Sequence, residues 1–92
     1  MRYEWDEDKN RANLRKHGIS FNRAVEIFNG PILSIPDDRF HYGETRVLTF
    51  GMTGSLVILA VVHTDRENVT RIISARRADK DEQREFEAAV FT

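Results

Sequence analysis

Between residues 21 and 28, Phe21, Ala24, Val25 and Phe28 recur at the i, i+3, i+4, i+7 spacing of an apolar helix face. Ser20 can cap that helix, and Ile19 before it is placed to staple the first turn. Asn29-Gly30-Pro31 ends it. A thinner helix precedes it. Asp6 is its N-cap, Glu7 and Asp8 sit in its first turn, and it runs to about His17, where Arg15, Lys16 and His17 complement the C-terminal end of the dipole and Gly18 provides the stop. Its apolar side holds only Ala12 and Leu14 beside the semi-polar Asn10, Asn13 and His17, so it is expected on the surface. Arg2 to Trp5 reads as a short strand with Tyr3 and Trp5 on one face.

After residue 31 the period changes from helix to strand. Ile32 to Ile35 is a short apolar strand ended by Pro36, and Asp37 to Glu44 is a polar loop. Arg46 to Met52 is a strand, Thr53-Gly54-Ser55 a turn, and Leu56 to Thr64 the strongest strand, apolar on both faces and rich in β-branched residues. Asp65 to Asn68 turns the chain into a strand over Val69 to Arg76. Asp79 with Glu82 three residues on has the form of a capping box opening a last helix. Its stripe of Phe86, Ala89 and Val90 is too short to hold it alone, so it must dock. The order β-α-α-β-β-β-β-α, with helices at both ends of an antiparallel meander, predicts an α+β fold with a central antiparallel sheet, one domain over residues 1–92.

Composition narrows the chemistry. The chain has 92 residues, 40% hydrophobic and 32% charged, enough apolar content for a core. It has no cysteine, which removes disulfides, thiolate metal sites and a cysteine nucleophile. Met1 to His17 is charged throughout, unlike a signal peptide, and the longest apolar run, Leu56 to Val62, is too short to span a bilayer. A cytoplasmic location is expected, with no membrane contact. The net charge of −1 and pI near 6.3 argue against binding nucleic acid through bulk charge. Any such site must be local, and basic residues do cluster: Lys9, Arg11, Arg15 and Lys16 in one place, Arg66, Arg71, Arg76, Arg77, Lys80 and Arg84 in another.

The stretch Arg71-Ile72-Ile73-Ser74-Ala75-Arg76-Arg77-Ala78 carries the strongest signal. Strict alternation puts Arg71, Ile73 and Ala75 on one face and Ile72, Ser74 and Arg76 on the other, with Arg77 starting the exit toward the helix. Guanidinium groups are permanently charged forks that match phosphate geometry. Two readings stay open: an anion site, or ion pairs with Asp65, Glu67, Asp79 or Glu82. His63 is expected at a strand end, exposed enough to exchange protons, or else half-buried against a loop carbonyl. His17 is accounted for by the helix dipole, and His41 lies in the polar loop without an evident partner. Asp37, Asp38, His41 and Glu44 form an acidic loop that lacks the spacing of an EF-hand, so a solvated loop is the better reading than a metal site. There is no P-loop, dinucleotide fingerprint or nucleophile elbow.

Several segments together carry a family resemblance. Tyr3-Glu4-Trp5-Asp6-Glu7-Asp8-Lys9, then Asn13-Leu14-Arg15-Lys16-His17-Gly18-Ile19-Ser20-Phe21, then Val61-Val62-His63-Thr64 and the arginine stretch, in this order and spacing, resemble the BrnT family of type II toxins from Tyr3 to Phe86. The resemblance implies a RelE-like fold and a ribonuclease that arrests translation. It implies neutralisation by a BrnA-type ribbon-helix-helix antitoxin in a two-plus-two heterotetramer, with DNA reached only through the antitoxin. It also implies metal-free chemistry without a cofactor, in which the RNA 2′-hydroxyl attacks the adjacent phosphate. Carried onto this chain, Arg71 and Arg76 would hold the scissile phosphate and the charge that builds on it, His63 or Lys9 would act as base or acid, and His17, Ser74 and Arg77 would contact RNA. For Arg71 and Arg76 to serve one site, the strand must twist or bulge near Ala75. Family members often carry a tyrosine in the last helix where this chain has Phe86, which can stack but not donate a proton. Two other readings are a catalytically weak binding module for a ribbon-helix-helix partner and a metal-dependent nuclease using Asp37, Asp38 and Glu44.

Overall fold

The computed structural model describes residues 2–37 and 43–91. Strand β1 (Arg2–Glu4) leads into helix α1 (Glu7–His17). The Asp6 side chain accepts the backbone N–H groups of Asp8 and Lys9, and Gly18, at φ 72°, closes the helix by donating to the Leu14 carbonyl. Helix α2 (Phe21–Ala24) is capped by Ser20 and tightens after one turn into a 3₁₀ segment, Val25–Asn29. Strands β2 (Ile32–Pro36), β3 (Val47–Met52), β4 (Ile58–Arg66) and β5 (Val69–Arg77) follow, then helix α3 (Lys80–Val90) with both halves of its Asp79–Glu82 capping box formed. The α+β class and the element order match the expectation.

The sheet runs β1-β5-β4-β3-β2. β2 to β5 are antiparallel neighbours, whereas β1 pairs parallel with β5 over Val69 to Arg71 only, a contact not read from the sequence. Helices α1 and α2 cover one face. Ile19, Phe21, Ala24 and Ile27 pack there on Leu59, Val61, Ile72 and Ala75, with Tyr3 stacked on Phe28 and Trp5 edge-on to Phe21. Gly51 lies under the 3₁₀ segment, where a Cβ would come within 2.6 Å of the Ile27 Cβ, so glycine is what allows the close approach. Helix α3 packs against β2 and β3 on the opposite face. Phe86, fully buried, anchors it on Phe50, Ile58, Ala60 and Ala78, and burial of such a ring contributes about 2–3 kcal/mol.

Helix α1 is on the surface, as its thin stripe predicts, and its one buried residue is polar. The Asn13 amide donates to the carbonyls of Ile19 (2.9 Å) and Ala75 (2.8 Å) and accepts the Ala75 N–H (3.1 Å). Beyond Arg71, where β1 no longer pairs, that side chain takes the place of a neighbouring strand. Asn10 does a similar service by accepting the Phe21 N–H at 2.8 Å.

Both ends of β4 differ from expectation by two residues. β4 starts at Ile58, not Leu56, because Leu56 adopts φ 66° within the turn and is 77% exposed. β4 also continues to Arg66, because the reversal needs only Glu67 and Asn68, both at positive φ, the geometry of a two-residue hairpin turn.

Candidate functional site

The register of β5 against β4 decides which side chains share a face. Arg71 lies opposite Thr64, Ile72 opposite His63, Ser74 opposite Val62, Ala75 opposite Val61, and Arg76 opposite Ala60. The pairing skips Ile73, which is the extra residue of a β-bulge. Directly opposed residues point to the same side, and β4 itself alternates regularly through Ala60, Val62 and Thr64. Arg71, Ser74 and Arg76 therefore form one row on the face that carries α3. The bulge required near Ala75 is present two residues earlier. Their β4 partners Thr64 and Ala60 lie four positions apart, about 13 Å of strand at roughly 3.3 Å per residue. Extended arginine side chains can converge across that span or follow a strand of phosphates along it.

Each arginine of the row is held by a carboxylate. Arg71 Nη1 donates to Glu4 Oε2 at 3.2 Å, across the β1–β5 pairing. Arg76 makes a two-pronged contact with Glu82, Nη1 to Oε1 at 2.8 Å and Nη2 to Oε2 at 3.0 Å, and Nη1 also donates to the Arg77 carbonyl at 3.2 Å. The two arginine side chains keep 42% and 39% of their surface exposed, so both pairs stand at the solvent boundary. The expectation of internal ion pairs holds for Glu82; Glu4 was not among the acids expected to serve. Ser74 is half-buried between the two arginines. Arg77 is exposed at the end of β5.

His63 is elsewhere. Because β4 runs on to Arg66, His63 is inside the strand rather than at its end, and it points to the face covered by α1 and α2. It is 3% exposed, with Phe28 edge-on to its ring at 5.2 Å. Its Nε2 lies 2.7 Å from Thr49 Oγ1 and its Nδ1 2.9 Å from Asp65 Oδ1, and Thr49 Oγ1 is in turn 2.7 Å from Ser34 Oγ. With neutral imidazole protonated at Nδ1, every member of the chain Ser34, Thr49, His63, Asp65 donates to the next, so the buried polar groups are satisfied without a ligand. Neither a solvent-exposed ring nor a loop carbonyl partner is found. Lys9 is exposed and His17 half-buried, both on α1. The structure thus brings together Arg71, Ser74 and Arg76, and separates them from His63 by the thickness of the sheet.

The acidic loop contributes little that can be described. Asp38 and His41 lie outside the described residues. Asp37 is buried and donates its N–H to the Arg46 carbonyl, and exposed Glu44 pairs with Arg46 at 3.2 Å. Among the described residues no three metal-binding side chains converge, and no helix is long and apolar enough to cross a membrane.

The chain as a whole has counterparts among known proteins. The sequence profile of the ribonuclease toxin BrnT of type II toxin-antitoxin systems matches residues 5–82. The chain belongs to the BrnT family. The fold is similar to the 1.1 Å crystal structure of the Brucella abortus ribonuclease toxin BrnT, with a TM-score of 0.68 and 25% identity, over 87% of this chain and 99% of that one. A comparison with curated protein sequences gave no match. Membership of the BrnT family makes this chain a ribonuclease toxin of a type II system, a class that acts with an antitoxin partner. The profile spans every residue of the row and ends at Glu82. Glu4 and Glu82 as partners of the row, and Asn13 as a bridge, were missed by sequence reasoning. Glu82 was visible only as a capping residue, and the N-x-x-K-H-G spacing marked Asn13 without saying what it bonds.

Proposed function

We propose that this chain is a single-domain endoribonuclease that cleaves RNA without a metal, by attack of a 2′-hydroxyl on the adjacent phosphate, which breaks the P–O5′ bond, leaves a 2′,3′-cyclic phosphate and releases the next nucleotide as a protonated 5′-hydroxyl, in the manner of RelE-like toxins. Arg71 and Arg76 stabilise the negative charge that accumulates on the phosphate, and Ser74 between them donates a hydrogen bond to a phosphate oxygen. Lys9, exposed on α1, which meets the β5 edge through Asn13, is assigned the proton transfer; His63, buried under α1 and α2 on the face opposite the row, acts through the fold. His17 and Arg77 contact flanking RNA. The observation that supports this most is the Ile73 bulge, which gathers the three polar side chains of β5 on one face. Inhibition of translation follows from cleavage of RNA in the cytoplasm. The partner is a BrnA-type ribbon-helix-helix antitoxin in a two-plus-two assembly, and DNA is reached only through it.

The test is cleavage of a labelled RNA by partner-free protein in excess chelator, with an all-deoxy oligonucleotide of the same sequence as control. RNA cleaved alone, leaving a 2′,3′-cyclic phosphate, is the expected result. Cleavage that disappears with chelator and returns with magnesium would replace this mechanism by a metal-dependent one. One observation favours a second reading: both arginines of the row already carry carboxylates of this chain. On that reading the protein is a weak enzyme whose main role is to hold the antitoxin, and cleavage of neither oligonucleotide supports it.

A further inference from the structure

Glu82 takes part in two structures at once. Its Oε1 accepts the Asp79 N–H at 2.9 Å, closing the capping box of α3, and its two oxygens grip both terminal nitrogens of Arg76 at 2.8 and 3.0 Å. The capping box is completed by the Glu82 N–H donating to Asp79 Oδ1 at 2.8 Å. A capping box needs only one oxygen of the glutamate, and an exposed arginine needs no partner for stability. The fork adds a restraint. Two parallel N–H···O bonds fix the plane of the guanidinium, and a third from Nη1 to the Arg77 carbonyl fixes its position along the strand. The Glu82 side chain is 20% exposed, and Phe86, one helical turn further on, is fully buried, so the carboxylate is mounted on an anchored turn.

We propose that Glu82 is a positioning residue for Arg76: the first turn of α3, through the Glu82 carboxylate, holds the guanidinium in the orientation it uses on the scissile phosphate. This rests on the ribonuclease reading given above. A guanidinium released from the fork keeps its charge and its attraction for RNA but loses its aim. Misplacement on the scale of 1 Å costs on the order of 10²-fold in rate. Removing Glu82 also removes a negative charge beside the row, which favours binding of a polyanion. The two effects have opposite signs, and that is the signature of the proposal.

The experiment compares wild type, Glu82→Ala and Asp79→Ala for RNA cleavage, melting temperature and the side-chain ¹⁵N–¹H spectrum of Arg76. Asp79→Ala breaks the other half of the capping box and leaves the fork in place. For Glu82→Ala the expected result is a kcat lower by about 10²-fold, a KM unchanged or lower, and Arg76 Nη signals less restrained than in the wild type. Asp79→Ala should lose similar melting temperature yet keep kcat and the restrained Nη signals. Equal losses of kcat in the two variants, at equal folded fractions, would reduce Glu82 to a helix cap and overturn the proposal. Averaged Nη signals already in the wild type would overturn it as well. Restrained signals in a wild type that cleaves no RNA would instead remove the ribonuclease reading while leaving the tether in place.

Discussion

The two faces of the sheet treat polar side chains in opposite ways. On the face covered by α1 and α2, Asn13, Thr49 and His63 are buried, and their polar groups are satisfied by backbone, by one another, and by Ser34 and Asp65 at the surface. On the α3 face, Arg71, Ser74 and Arg76 stand at the edge of the apolar cluster, and their partners Glu4 and Glu82 are ion pairs at the solvent boundary. A buried hydrogen bond is expensive to break because the partner left behind cannot reach water. A half-exposed ion pair contributes little to stability because water replaces it. The buried polar groups of the first face therefore bear on stability, while the half-exposed ion pairs of the second are at liberty to carry chemistry.

Mutations should separate the two. The largest effect is expected from Asn13→Ala, which strands the Ala75 N–H and the carbonyls of Ala75 and Ile19 in the interior; a loss of about 3–4 kcal/mol in denaturant unfolding checks it. Next, Arg76→Ala should lower RNA cleavage by about 10²-fold while costing roughly 1 kcal/mol or less of stability. Cleavage retained by Arg76→Ala would remove the row as the site. His63→Ala should lose about 2 kcal/mol through the cavity and the orphaned Thr49 hydroxyl, with cleavage per folded molecule unchanged. A loss of cleavage beyond the loss of folded protein would return His63 to the reaction and dissolve the division between faces. The smallest effect belongs to Glu4→Gln, within about 1 kcal/mol of wild type by thermal melting, because its partner Arg71 is largely hydrated.

Most of the fold was legible because local signals agreed with one another. Asp6 and Gly18 bound α1, Asp79 and Glu82 open α3, and the strands and turns between residues 47 and 77 follow the alternation and turn chemistry of the chain. What escaped was set by pairing rather than by composition. The parallel contact of β1 depends on where α1 returns the chain, and nothing in Arg2 to Glu4 states it. The bulge falls on Ile73, a good strand residue with no glycine to mark it, so the sequence states the shared face of Arg71 and Arg76 only as a condition on the strand. His63 was misplaced by two residues of turn: Asp65 and Arg66 look like loop but belong to the strand, and that extension moves the histidine from an end into the interior. Glu82 was recognised for its spacing to Asp79, and its reach to Arg76 appears only once α3 folds back beside β5.

The amide of Asn13 has a consequence beyond the energy of its bonds. β1 stops at Glu4, and the Ala75 N–H and C=O that face away from β4 would otherwise present an open sheet edge. Open edges recruit strands from other chains. By occupying both groups, Asn13 lets α1 seal that edge, and a chain without it is expected to aggregate from the loosened state in which α1 has lifted away and the edge is bare.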